Sequence, residues 1–269
     1  MDVLSSFPSS IRKIAHHIHE LGGSCVIVGG AVRDYVLGIS VKDIDIEVFG
    51  IPSYGRLKEI LSSYGKPIEA GKSFGVLKLL VDGLEVDFSF PRTETKIGEG
   101  HKGFDVVSDP TLTFETAAAR RDFTINAMGI NLVDGSFLDP FNGQEDLKKS
   151  RLKHIGPAFV EDPLRVYRGV QFAARFNLTI DPETMTLCKS IVPSLDELPK
   201  ERVFEELRKL LLKAPKPSVG LNLMKEMGIL PKECLALIDT PQDPEWHPEG
   251  DVWVHTLQVV DQMALLRPD

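Results

Sequence analysis

Cys25-Val26-Ile27-Val28-Gly29-Gly30-Ala31-Val32-Arg33-Asp34, and a few residues on Asp43-Ile44-Asp45-Ile46-Glu47-Val48, form the stretch from which the fold reads. Four consecutive apolar residues, Cys25 to Val28, predict a buried strand. They run into Gly29-Gly30 and then a short helix, Ala31 to Leu37, which Gly38 ends. From Asp43 to Val48 polar and apolar residues alternate, with Asp43, Asp45 and Glu47 on one face and Ile44, Ile46 and Val48 on the other. A period of two predicts a half-buried strand.

Outward from this core, Ile11, Ile14, Ala15, Ile18 and Leu21 recur at helical spacing after Ser9-Ser10, and Gly22-Gly23 supply a stop. Downstream, a helix is expected near Tyr54 to Ser63. Two strands follow, about Gly75 to Val81 and Leu84 to Phe90, joined at Asp82-Gly83, a strong hairpin signal. Thr93 to Asp109 reads as a long polar, glycine-bearing loop, either mobile or functional. Asp134-Gly135 marks a second hairpin, and beyond Asp139-Pro140-Phe141-Asn142-Gly143 the pattern turns helical, around 144–150, 162–176, 183–191, 200–213, 217–227 and 251–265. The expected class is α+β: a head of mixed sheet and helices over 1–140, a helical neck over 141–215, and a helical body over 216–269.

Two carboxylates at i and i+2 on one strand face lie ~7 Å apart along the backbone, so Asp43 and Asp45 can converge on shared cations. A pair of Mg²⁺ ions about 4 Å apart is the arrangement that activates an attacking hydroxyl and steadies a leaving pyrophosphate. A lone Asp-x-Asp is more often a solvated strand face. The upstream glycine turn and helix start change that weighting, because backbone N–H groups can approach a phosphate there with Arg33 close by. Neither Walker A nor dinucleotide-fingerprint spacing is present.

Gly29-Gly30-Ala31-Val32-Arg33-Asp34, Leu37-Gly38 and Asp43-Ile44-Asp45 together resemble motif A of the class II tRNA nucleotidyltransferase and bacterial poly(A) polymerase family. Arg120-Arg121-Asp122-Phe123-Thr124-Ile125-Asn126-Ala127 is similar to its motif B, and Asp139 to Gly143 with Asp146-Leu147 to motif C. Glu161-Asp162-Pro163-Leu164-Arg165 with Arg168 resembles motif D, and Glu201-Arg202-Val203-Phe204-Glu205-Glu206 resembles motif E. The resemblance implies a polymerase-β-like nucleotidyltransferase head in which Asp43 and Asp45 hold two Mg²⁺ ions. Gly29, Gly30, Arg33 and Arg121 would meet the nucleotide and its phosphates, and Asp122 and Asn126 its ribose. Asp162 and Arg165 would select the base, Glu161 would orient that pair, and Arg168 would assist at the phosphates.

Spacing supports the neck assignment separately, since Asp162, Arg165 and Arg168 at i, i+3 and i+6 share a broad face of the expected helix. An acceptor beside a fork of donors is one way to fit both cytosine and adenine edges; the plain alternative is a helix-stabilising ion pair. Gln171 stands where relatives often carry an arginine, so a third phosphate or base contact is not carried over. Asp87 alternates outward in Leu84-Glu85-Val86-Asp87-Phe88 and is a candidate third carboxylate. Arg92-Thr93-Glu94, with Gly98, Gly100, His101, Lys102 and Gly103, resembles the family's mobile loop between motifs A and B.

His16, His17 and His19 lack companion ligands and are read as surface or packing residues. Trp246-His247-Pro248-Glu249 and His255-Thr256 resemble the opening of the HD phosphohydrolase domain of many relatives, although no HD dipeptide occurs. The chain is therefore expected to be a partial one, with HD-type hydrolysis disfavoured.

The 269 residues, 42% hydrophobic and 26% charged, are ordinary for a folded chain. Three dispersed cysteines suggest neither a disulfide framework nor a zinc knuckle, and the expected compartment is the cytoplasm. A net charge of −8 opposes nucleic-acid binding in bulk, but arginines and lysines cluster around the motifs. The expected activity is template-independent CCA addition to tRNA 3′ ends from CTP and ATP, with no membrane partner. Rival expectations are poly(A) polymerase, CC-only or A-only addition, and a catalytically silent RNA- or nucleotide-binding module.

Overall fold

The computed structural model describes residues 3–41, 43–70, 75–96 and 104–267. Within it the chain forms two compact units. The first runs to Lys148 and takes in His154–Ala158; the second comprises Lys149–Lys153 and the chain from Phe159 onward.

The first unit is built on a sheet whose strands in chain order are β1 (Ser24–Val28), β2 (Ile44–Phe49), β3 (Ile68–Ala70), β4 (Val76–Val81) and β5 (Leu84–Ser89). After β6 (Arg92–Lys96) and β7 (Phe104–Ser108), which stand apart, come β8 (Gly129–Asn131) and β9 (Phe137–Leu138). The seven-stranded order is β3-β4-β5-β2-β1-β8-β9, and β2 and β5 form its parallel pair while the other neighbours are antiparallel. β1 is an interior strand between β2 and β8, and its residues Cys25 to Val28 are buried, as a continuous apolar run requires. Helix α1 (Ser9–Glu20) buries Ile11, Ile14, Ala15 and Ile18, and α3 (Tyr54–Ser62), capped by Ser53, buries Leu57, Ile60 and Leu61. Burying a side chain of this size is worth about 1.5–3 kcal/mol each. The β4–β5 hairpin turns at Asp82 (φ 50°) and Gly83 (φ 82°), the two left-handed positions that an Asp-Gly pair supplies.

Between the end of β5 and α4 (Phe114–Ala118) the structure corrects the loop expectation. β6 and β7 pair antiparallel, Arg92 opposite Ser108 and Lys96 opposite Phe104, so both flanks of the stretch are hydrogen-bonded ribbon. Gly98, Gly100, His101, Lys102 and Gly103 lie outside the described residues. Helix α5 (Gly143–Lys148) closes the unit.

The second unit pairs β10 (Arg151–Leu152) with β11 (Thr179–Ile180) in parallel. It is otherwise helical: α6 (Leu164–Phe176), α7 (Pro182–Ile191), α8 (Lys200–Lys213), α9 (Pro217–Met227), α10 (Lys232–Leu235) and α11 (Val252–Leu265). Helix α6 is the hub, packing on both α8 and α9 and burying Val166, Val170, Phe172 and Ala173. It starts two residues later than its sequence pattern suggests, because residues 157–161 form a 3-10 turn and Pro163 stands at the N-cap. No helix among the described residues is long and apolar enough to cross a membrane.

Candidate active site

Asp43 precedes β2 and Asp45 lies on it, both exposed, while Ile44 and Ile46 point into the core. The parallel register sets Asp87 of β5 opposite Asp45, so three carboxylates meet at one end of the β2–β5 pair. Their mutual repulsion is visible in Asp45, whose pKa is raised by the crowding of surrounding chain, then by Asp87, and further by Asp43 and Glu47, with Arg121 opposing. Its carboxylate remains open to water at the surface even though the neighbouring chain restricts its hydration. Lys78 partly offsets the charge, its Nζ donating to Asp87 Oδ1 (2.9 Å) and Oδ2 (3.1 Å) and to Glu85 Oε1 (2.5 Å). Those two acceptors, Glu85 first, push the lysine pKa up. Such an excess of like charge is the donor set that a divalent cation relieves.

Gly29 sits at φ 72°, in the left-handed region that a side chain disfavours, and a Cβ there would come within 2.8 Å of Arg121 Nη1. The glycine thus leaves a slot that the guanidinium fills. Gly30 begins helix α2 (Gly30–Val36), and Arg33 within it is 5% exposed. Arg33 Nη1 donates to Asn126 Oδ1 (2.7 Å), while its Nε and Nη2 donate to Asp34 Oδ1 (2.9 and 2.7 Å). Asn126 Nδ2 donates in turn to Asp122 Oδ1 (2.9 Å), which also accepts from the Phe123 amide (2.8 Å). Arg33, Asn126 and Asp122 therefore form one buried polar chain linking α2 to the segment ahead of β8. Arg33 is more embedded than its sequence position suggested, because the Asn126 segment 93 residues away pairs with its guanidinium.

Three contributors were given no individual role from the sequence. Glu47 alternates with Asp45 and reads as solvated, yet it is 2% exposed, because Arg120 and Arg121 from 73 and 74 residues away cover it. Lys78 is the second. Motif C is the third in a different sense: Asp139 Oδ1 accepts from the Gly143 amide (2.6 Å), and buried Asp146 Oδ2 accepts from Thr124 Oγ1 (2.6 Å). Gly143 abuts the Thr124 carbonyl, where a Cβ has no room. Motif C thus fastens α5 beneath the Asp122–Asn126 segment.

In the second unit, Asp162 lies just ahead of α6, with its Oδ1 accepting from the Leu164 amide (3.1 Å) and its Oδ2 pairing with Arg202 Nη2 on α8 (3.4 Å). Motif E is therefore brought to motif D by helix packing. Glu161, ending the 3-10 turn, is half-buried, as are Arg165 and Arg168. The Arg165 guanidinium stands 5.9 Å from the Phe159 ring centre and that of Arg168 5.0 Å from Phe172. Gln171 is 1% exposed, turned into the helical core. Near α11, Glu249 Oε1 accepts from both His247 (3.1 Å) and His255 (2.5 Å), and its own backbone amide first, then His255 and His247, hold the carboxyl at about 2.

A mixed sheet with convergent carboxylates on β2 and β5, a glycine turn behind them and arginines beside them defines a polymerase-β-like nucleotidyltransferase head. The family described as "Poly A polymerase head domain" matches residues 25–153, and "Probable RNA and SrmB- binding site of polymerase A" matches 177–232. The chain belongs to the tRNA nucleotidyltransferase and poly(A) polymerase family. It is 43% identical over 250 residues to the multifunctional CCA protein of Aliivibrio salmonicida, covering 89% of this chain and 58% of that one. With the multifunctional CCA protein of Nitrosococcus oceani it shares 40% over 248 residues, 90% and 59% of the two chains. The chain thus spans less than two thirds of the length of these relatives. Among solved structures, a CCA-adding enzyme in apo form II superposes with a TM-score of 0.73 at 29% identity, over 88% of this chain and 55% of that one. A CCA-adding enzyme in complex with CTP gives 0.70 at 30%, over 84% and 54%.

Proposed function

We propose that this chain carries out template-independent nucleotidyl transfer to the 3′ end of tRNA, adding CMP, CMP and AMP from CTP and ATP. The observation that carries the reading is the register of Asp45 against Asp87, with Asp43 adjacent and Arg121 on the same face. The resemblance in names supports the choice of substrate, since the matched relatives are multifunctional CCA proteins and the matched structures include CCA-adding enzymes with CTP and with ATP.

Transfer in this family is metal-dependent. We assign Asp43 and Asp45 as the ligands of two Mg²⁺ ions, with Asp87 as the third carboxylate beside them, because Asp87 and Asp43 add to burial in raising the Asp45 pKa and Lys78 and Arg121 offset that like charge only in part. When bound, such ions lower the pKa of an attacking hydroxyl and neutralise a departing pyrophosphate. In the reaction the terminal ribose oxygen of tRNA forms a bond to the α-phosphorus, the bond from that phosphorus to the pyrophosphate oxygen breaks, and the hydroxyl proton passes to solvent. Arg121 binds the triphosphate, with Gly29 and Gly30 leaving room for it. Asp122 and Asn126, held by Arg33, orient the ribose. Asp162 and Arg165 select the base, Glu161 orients them, and Arg168 assists at the phosphates. Three unpaired cysteines, two of them buried, suit a reducing cytoplasm.

The test is incorporation of labelled CTP and ATP on tRNAs lacking three, two or one terminal nucleotides. Ordered addition of all three supports the reading. Repeated AMP addition, addition of only CC or only A, or no addition at all, points instead to a poly(A) polymerase, a partial adder or a silent module.

A further inference from the structure

Glu47 presents a physical puzzle. It lies two residues beyond Asp45 on β2 and is 2% exposed, and a carboxylate so far from water persists only when paired. Its Oε1 accepts from Arg121 Nη2 at 2.9 Å and from Arg120 Nη2 at 3.2 Å, two cations on one oxygen. Its Oε2 is buried and finds no donor among the described residues. Fork-to-fork pairing, which would use both oxygens, is the stronger arrangement. As a device for stability this is poor, since an apolar side chain of like volume would serve as well or better.

What the arrangement does accomplish is to fix one guanidinium. Arg121 Nη2 is held by Glu47, its Nη1 donates to the Asn126 carbonyl at 3.3 Å, and that same Nη1 fills the space left by the missing side chain of Gly29. Three contacts from β2, the turn after β1 and the segment before β8 leave the arginine little freedom. Arg121 also exerts the attractive charge on Asp45, so its location is set relative to the carboxylate cluster.

We infer that Glu47 is a positioning residue: it holds Arg121 at the place where the triphosphate of an incoming nucleotide is bound, beside Asp45. The inference rests on the reading of Arg121 as a phosphate ligand. Glu47 does not touch the nucleotide. It removes the rotamer search that Arg121 would otherwise make on binding, and Arg120 supplies the second cation that keeps the buried charge neutralised.

The experiment uses the full chain with Glu47→Asp, Glu47→Gln, Arg121→Ala and the double variant Glu47→Asp/Arg121→Ala. KM and kcat are measured for CTP and ATP, with inorganic tripolyphosphate as a base-free competitive inhibitor. Glu47→Asp keeps the charge but ends one methylene short, so it carries the test even where the glutamine variant fails to fold. The expected result is a rise of about ten-fold in KM for both nucleotides and in the tripolyphosphate inhibition constant, the scale of one charge-assisted hydrogen bond, with the melting temperature of Glu47→Asp near that of the parent. In the Arg121→Ala background Glu47→Asp should add nothing further. Lowered melting with unchanged KM and inhibition constant reduces Glu47 to a structural residue and overturns the inference, as do effects that multiply with those of Arg121→Ala. If Arg121→Ala itself leaves tripolyphosphate inhibition unchanged, the phosphate assignment of Arg121 fails first and the role of Glu47 falls with it.

Discussion

Replacing Asp162 with Asn separates base selection from helix support. The Asp162 carboxylate makes two contacts, Oδ1 to the Leu164 amide at 3.1 Å and Oδ2 to Arg202 at 3.4 Å, yet a carboxylate has about four lone-pair directions and accepts further hydrogen bonds. Cytosine N4 and adenine N6 are both donors, whereas uracil O4 and guanine O6 are acceptors, so a side chain that only accepts favours the two bases of CCA. Asn keeps an oxygen for Leu164 and turns an amino group toward the other contacts. The Arg202 pair is partly exposed, with side chains 29% and 24% accessible, so its loss should cost at most about 0.5 kcal/mol. Asp162→Ala additionally removes the cap-like bond, about 1 kcal/mol more. Discrimination against UTP and GTP should fall by roughly 1–3 kcal/mol in Asp162→Asn, or about 5- to 150-fold, the scale of one base-edge contact. Four-nucleotide competition on tRNA lacking its terminal residues, run beside thermal melts, measures both quantities. An active Asp162→Asn enzyme with unchanged selectivity would refute the assignment and leave Asp162 as a support for α6.

Four further outcomes are expected. Asp43→Ala and Asp45→Asn should abolish turnover with the fold intact. Because the folded-state pKa of Asp45 is raised, its ionisation opposes folding as pH climbs past the ordinary aspartate value, so in a chelator near neutral pH Asp45→Asn should melt no lower than the parent; Mg²⁺ should raise only the parent's melting temperature, and a Mg²⁺ shift in Asp45→Asn would contradict the ligand role. Asp146→Ala strands the buried Thr124 hydroxyl and should cost about 1–3 kcal/mol by denaturant titration. Glu249, lowered from 4.5 to about 2, stabilises the start of α11 above its unfolded pKa and ceases to do so as pH falls through about 2; hydrogen exchange there should accelerate over that window in the parent, and the carboxylate-dependent part of that acceleration should vanish in Glu249→Gln.

Much of the head could be read along the chain. The alternation from Asp43 to Val48, the apolar run of β1 and the Asp-Gly turn at 82–83 are local signals, because side-chain period and backbone φ are set by a handful of consecutive residues. The motif residues were legible for the same reason, being short ordered strings. The start of α6 was misplaced because Pro163 permits a helical reading on either side, and only the 3-10 turn before it shows that Asp162 precedes the helix. The ribbon of β6 and β7 was hidden because β6, Arg92 to Lys96, is wholly polar and offers no apolar period, while its partner Phe104 to Ser108 alternates over only its first three residues.

The chemistry of individual side chains is another matter. Composition and spacing determined that Asp43 and Asp45 stand two residues apart at the start of a strand and that two arginines precede Asp122. They could not determine that β5 runs parallel to β2 in the register that sets Asp87 beside Asp45, that Arg120 and Arg121 return across more than 70 residues to bury Glu47, or that Arg202 reaches Asp162. A one-residue slip of β5 would have turned Asp87 to the opposite face with no change in local pattern. Charge burial, the raised Asp45 pKa and the fixed guanidinium of Arg121 all depend on such long-range pairings, whose geometry exists only once β5, β2, β1 and β8 have assembled into one sheet.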